Sequence, residues 1–247
     1  MKLAEMTWQD VDALRRQTVV LIPTGSLEQH GPHLPLFTDS ILATAVAEAV
    51  EAKLKDKVLL TPTLWLGASA HHLKFPGTLT ASFDAYIRSL TDVAESLIPH
   101  GFERFFVVNG HGGNSEPNGL AMRQLKAKYP HYWFGHSGYY TFAEEVAAGL
   151  LEGPAKSIQH ACEAETSLMM HVRPNLVREG KIRDDGLKPD PEVKGMVSHF
   201  DEVTEQGSLG FASFSSKEKG RLIFEAAVAG VASNLEAIYD GYVFASP

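Results

Sequence analysis

Four strand-like runs in the first 140 residues, separated by stretches of helical periodicity, constrain this chain more than any other feature. They cover residues 18–23, 58–62, 104–109 and 131–136. Between the first two, Ile41, Ala45, Val46, Ala49, Val50 and Leu54 recur at helical spacing. Near-continuous apolar strands alternating with helices predict a parallel sheet covered on both faces. The expected fold class is therefore α/β: a three-layer α/β/α arrangement with a central, mostly parallel sheet. Helices are expected over 41–56 (opened by Asp39 and Ser40), from 82–84 to about 100 with Gly101 as its cap, and over 115–129, 160–172 and 216–238. Residues 174–214 show little periodicity and are expected to be irregular. No internal repeat or low-complexity linker interrupts the pattern, so 1–247 reads as a single domain.

Composition narrows the function classes. The 247 residues are 44% hydrophobic and 21% charged, the balance of an ordinary globular protein. No apolar run approaches the ~20 residues of a bilayer span, so no membrane partner is expected. The first residues carry no signal-peptide core. A net charge of −8, without a basic stripe, argues against nucleic-acid binding. The single cysteine, Cys162, cannot form an intrachain disulfide and suits a reducing, cytoplasmic setting.

The chemistry sits where strands end. Glu28 and His30 follow the first strand, two residues apart, so extended backbone sends both side chains to one side. After the bend at Gly31 and Pro32, Asp39 can return to the same place. Two carboxylates and an imidazole converging there suit a divalent metal. Asp39 could instead cap the helix it opens. His111, in the sequence Asn109-Gly110-His111-Gly112-Gly113-Asn114, leaves the third strand at the equivalent position. In parallel sheets ligands bind beyond the carboxyl ends of the strands, so both motifs point to one site. The glycines also permit an anion-cradling reading, although neither the dinucleotide fingerprint nor the P-loop spacing is present.

A third cluster is His160, Cys162, Glu163 and Glu165. On a helix starting at 160, His160 and Glu163 would share a face and Glu165 would point elsewhere. Cys162 offers a thiol-nucleophile alternative, and Glu163 could equally be a polar first-turn residue. His71 and His72, in the loop before Phe75-Pro76-Gly77-Thr78, either line the pocket or lie on the surface. His33 is a second choice to His30 as a ligand.

Several of these segments are familiar together. Residues 25–35 with Thr38 and Asp39, Phe75-Pro76-Gly77-Thr78, 109–114, Glu165-Thr166-Ser167-Leu168-Met169, Gly207-Ser208-Leu209-Gly210 and 216–220 resemble, in order, the creatininase (creatinine amidohydrolase) family. The resemblance implies a metal-dependent amidohydrolase with two divalent metal ions, usually a homohexamer acting on a small-molecule substrate. Carried over by position, Glu28 and His111 take one metal, His30 the other, and Asp39 bridges them. Zinc, manganese and iron all suit such oxygen and nitrogen ligands. His160 matches the family's proton-carrying histidine. Creatininase proper has a glutamate at the position of Gly113 and an aromatic at that of Gly112. Glu163 is therefore expected to supply the missing carboxylate, as a metal ligand within the catalytic set, with Glu165 the other residue that could complete the second site. His72, Gly112 and Ser69 are the expected substrate contacts. The implied reaction is hydrolysis of an amide, cyclic amide or formamide C–N bond by a water activated between two metals. Creatininase proper, ring opening of a cyclic ketone and a non-catalytic small-molecule-binding domain are the alternatives.

Overall fold

Alternate residues of the first strand face opposite ways, and the core divides accordingly. The computed structural model describes residues 1–186 and 195–241. Strand β1 (Val19–Thr24) lies between β2 (Val58–Leu60) and β3 (Arg104–Asn109), and β4 (Trp133–Gly138) completes the order β2-β1-β3-β4. All three pairings are parallel. Val19 and Leu21 join Val58, Leu60, Phe106 and Val108 in one apolar cluster, while Val20 and Ile22 join Leu59, Phe105 and Val107 in another. The expected three-layer α/β/α class is the observed one.

Eight α-helices, joined by short 3-10 turns, are found among the described residues. They are α1 (Trp8–Asp12), α2 (Thr38–Leu54), α3 (Phe83–Leu97), α4 (Ser115–Lys128), α5 (Glu144–Leu150), α6 (Glu163–Val172), α7 (Phe200–Val203) and α8 (Lys217–Tyr239). Helices α2, α6 and α8 cover the Val19 face, and α3 and α4 cover the Val20 face. Gly101 ends the α3 region in the left-handed conformation, φ 87°, as expected of a glycine cap.

Three expectations shift. Strand β4 starts at Trp133 rather than 131, because residues 130–132 complete a turn in which Tyr132 N–H donates to the Tyr129 carbonyl. Helix α6 starts at Glu163, not 160, with consequences for the site. Helix α8, at 23 residues, is long and apolar enough to cross a membrane. Its Ile223, Ala227, Val231, Ala232 and Leu235 form one face buried against the sheet and α6. Within the irregular stretch, 187–194 lie outside the described residues, as do 242–247 at the end of the expected domain.

Candidate metal centre

The sheet register assembles the site. Thr24, the last residue of β1, pairs with Asn109, the last of β3. The chain segments carrying Glu28 and His111 therefore leave the sheet side by side. Asparagines lock this junction: Asn109 Oδ1 accepts from Thr24 Oγ1 and from the His111 N–H. Asn114 Nδ2 donates to the Gly25 carbonyl at 2.9 Å, and its Oδ1 accepts from the Ala68 N–H at 2.9 Å. The two asparagine side chains of the glycine-rich loop are thus committed to holding strand ends.

Glu28, His30, Asp39 and His111 converge there, each at most 3% exposed. Asp39 is no cap: Phe37 occupies that position, and Asp39 turns inward from the first turn of α2. Its Oδ1 lies 2.9 Å from His30 Nε2 and its Oδ2 3.1 Å from His111 Nδ1. Ser26 Oγ donates to the same Oδ2 at 2.7 Å. The far nitrogens are held by backbone carbonyls: His30 Nδ1–H donates to Glu28 O at 3.1 Å, and His111 Nε2–H to Ala68 O at 3.3 Å. Such outer contacts orient an imidazole so that its other nitrogen faces a metal.

Glu28 supplies the test of whether a cation fits. Both of its carboxylate oxygens are buried without a hydrogen-bond partner. Oε1 has His111 Nδ1 at 3.1 Å and His72 Nε2 at 3.2 Å. An orphaned buried carboxylate is costly unless a positive charge compensates it. Without a metal, protons fill that role. Burial disfavours the charged His30, yet the Asp39 carboxylate carries it up to about 9. Burial likewise opposes charge on His111, but Glu28 and Asp39 raise it well above its ordinary value. Asp39, despite its burial, is held well below the usual carboxylate range by His30 and His111.

Glu163, expected as ligand and catalytic residue, is not brought to this cluster. Ala161 is in the left-handed region, φ 47°, and Cys162 caps α6, so His160 precedes the helix and shares no helical face with Glu163. The Glu163 carboxylate instead accepts from the Glu152 and Gly153 amides, both at 2.9 Å, and from Lys219 Nζ at 2.6 Å. Glu165 faces the cluster instead, and its carboxylate comes within ligand reach of His30 and His160. Burial, reinforced by Asp39 and opposed by His30, pushes Glu165 up to about 8. Gly113 leaves no room for a side chain of its own. A Cβ there would lie 2.5 Å from His111 Nε2 and 2.6 Å from the Ala68 carbonyl.

The remaining expectations divide. A cavity of about 270 Å³ is lined by Glu28, Asp39, His72, Gly112, His160 and Glu165 among others. A Cβ on Gly112 would meet nothing within 4 Å, so the cavity is open there. Ser69, expected to touch substrate, sits behind the site instead, its hydroxyl 3.3 Å from His111 Nε2. His33 bonds Thr166 Oγ1 at 2.9 Å, away from the cluster, and burial with nearby His30 lowers it to about 4. Cys162 is buried, is absent from the cavity lining, and has its thiol pushed up to about 12 by burial, all of which disfavour the nucleophile alternative. Phe200, from the aperiodic stretch, escapes sequence reasoning: its ring stacks on His72 at 3.9 Å and meets His160 at 4.6 Å. Gln29 is the other omission, although its place between Glu28 and His30 was a signal.

A family model described as creatinine amidohydrolase matches residues 4–235. The chain belongs to the creatininase family. It is a hydrolase of that family. The mycofactocin precursor peptide peptidase of Mycobacterium ulcerans is 34% identical over 217 residues, covering 83% of this chain and 79% of that protein. The creatinine amidohydrolase of Pseudomonas putida is 29% identical over 246 residues, covering 93% and 94%. A creatininase mutant solved in a Zn-Zn form has a TM-score of 0.82 at 30% identity, over 95% of this chain and 96% of that one. A manganese form of creatininase gives 0.83 at 29%.

Proposed function

We infer that this creatininase-family chain hydrolyses a C–N bond of a small, uncharged molecule at a two-metal site. The observation that carries the reading is the division of Asp39 between His30 and His111, one oxygen to each, beside the orphaned carboxylate of Glu28. Glu28, Asp39 and His111 would hold one cation, and His30, Asp39 and Glu165 the other. Divalent metals bound there supply a water acidified to near neutral pH and a Lewis acid for the substrate carbonyl.

The other residues divide the remaining tasks. His160 donates Nε2–H to the Gln29 carbonyl at 2.8 Å, which leaves Nδ1 free to collect a proton and deliver it to the departing nitrogen. Burial holds His160 well below its ordinary value, so the ring starts neutral. Phe200 covers His72 and His160, shielding them from solvent. Tyr140, Ile158 and Leu209 add an apolar wall, and no Lys or Arg is among the described lining residues. That lining favours a neutral substrate over an anionic one, and the volume suits a small molecule.

The relatives span creatinine and a precursor peptide, so the substrate is best found by screening. Zinc- and manganese-loaded protein should be assayed against creatinine, other cyclic amides, formamides and short peptides. Chelator-sensitive turnover of one class supports the reading. Turnover unaffected by complete metal removal would contradict it.

A further inference from the structure

Gln29 contacts two histidines of the cavity, and its own hydrogen bonds fix what each contact means. The residue is 5% exposed. Oε1 accepts from the Gly31 N–H at 3.0 Å, and Nε2 donates to the Gly207 carbonyl at 2.8 Å. An acceptor bound by a donor at one end, and a donor bound by an acceptor at the other, settle the amide orientation. The second hydrogen of Nε2 then points to His72 Nδ1, 2.7 Å away. Only an unprotonated Nδ1 can accept it, so neutral His72 carries its proton on Nε2, the atom 3.2 Å from Glu28 Oε1.

The main chain of the same residue acts on the second ring. His160 Nε2–H donates to the Gln29 carbonyl, so the bare atom is Nδ1, 3.7 Å from Glu28 Oε1. The 3.1 Å approach of Gln29 Nε2 to His160 Nε2 is then between two donors and is no hydrogen bond. The amide's seat is built around Gly207, at φ 93°, where a Cβ would stand 1.9 Å from Gln29 Oε1.

We propose that Gln29 is a positioning residue that gives His72 and His160 different duties. Its side chain leaves the His72 Nε2–H turned toward Glu28, near Oε1 without a hydrogen bond to it and closed to metal, and its carbonyl leaves His160 Nδ1 bare for proton transfer. Glu28, His72 and His160 have atoms close enough together to hold an ion, and this tautomer assignment removes that grouping from the candidates. The duty of His160 rests on the hydrolase reading; the tautomers do not. A catalytic group whose geometry or proton placement is disturbed by a neighbouring mutation can lose roughly 100-fold in rate.

The test is a long-range proton–nitrogen correlation spectrum of the histidine rings in zinc-loaded, ¹⁵N-labelled protein. The expected pattern is a protonated Nε2 and bare Nδ1 for both His72 and His160, with zinc bound at two ions per chain. In Gln29→Glu the carboxylate can only accept, so His72 should gain an Nδ1 proton while His160 keeps its pattern. kcat should fall by up to roughly 100-fold, with KM and zinc content little changed. A protonated Nδ1 on His72 in the wild type, a third zinc, or a Gln29→Glu protein with unaltered spectrum would overturn the proposal. Should that variant not fold, the wild-type spectrum decides alone. The stated tautomers in a protein that neither binds zinc nor hydrolyses any substrate would sink the hydrolase reading and leave the Gln29 assignment standing.

Discussion

Lys219 of α8 reaches Glu163, the first residue of α6, at 2.6 Å. The pair takes Glu163 out of the metal centre and pins two helices together. Lys219 also donates to the Phe214 carbonyl at 2.7 Å, so its removal costs that carbonyl a donor and leaves the buried Glu163 carboxylate with its two amide donors but no opposite charge. Lys219→Met should destabilise the fold by about 3 kcal/mol, the low end for breaking a buried pair. Metal content should be retained, as read by denaturant unfolding and metal analysis on one preparation.

The same pair sets a pH dependence. Despite burial, Lys219 and the two amides hold the Glu163 carboxyl below its usual range. A depressed carboxylate contributes stability above its unfolded pKa of about 4.3 and loses it as pH falls through the folded value. The wild-type advantage over Lys219→Met should therefore be constant from about pH 6 to 8 and shrink below about pH 4. An advantage that grows on acidification contradicts this.

Glu163 and Glu165 should respond differently to neutralisation. Glu165→Gln is expected to lose one of two bound metals and most turnover, whereas Glu163→Gln keeps both metals at a cost in stability. Metal counts per chain in the two variants decide it, and the reverse pattern would restore Glu163 as the ligand.

Neighbouring glycines should also differ. Gly112→Ala enters open space and should bind metal normally. Gly113→Ala meets the His111 ring and a backbone carbonyl. Overpacking of this kind costs about 1–3 kcal/mol, and it should weaken metal binding through His111. Thermal melts with and without metal would separate the two.

Cys162 should be inert. Burial pushes its thiol up to about 12, so alkylating reagents should label it only after denaturation. Cys162→Ser should keep its metal-dependent turnover within about twofold, since the thiol bonds only backbone groups and lies outside the cavity lining.

Much of this was legible in the sequence because hydrophobic runs and strand-end chemistry are local signals. The apolar run of β1 and the Glu28–His30 spacing imply inward side chains, and the β1–β3 register then brings His111 alongside. Glu165 was harder. Choosing it over Glu163 requires knowing that Ala161 turns left-handed and delays α6, a backbone detail without a residue-type signature. Phe200 lay hidden because its segment carries no period, and its contact with His72 is fixed only by tertiary packing. The role of Gln29 depends on Gly207, 178 residues away.

The central claim is that Asp39 joins two cations, and metal analysis of Asp39→Ala tests it most directly. Wild-type protein should bind two divalent ions per chain, and the folded variant should lose both together with all turnover. Two ions retained in Asp39→Ala, or none bound by the wild type, would contradict the account.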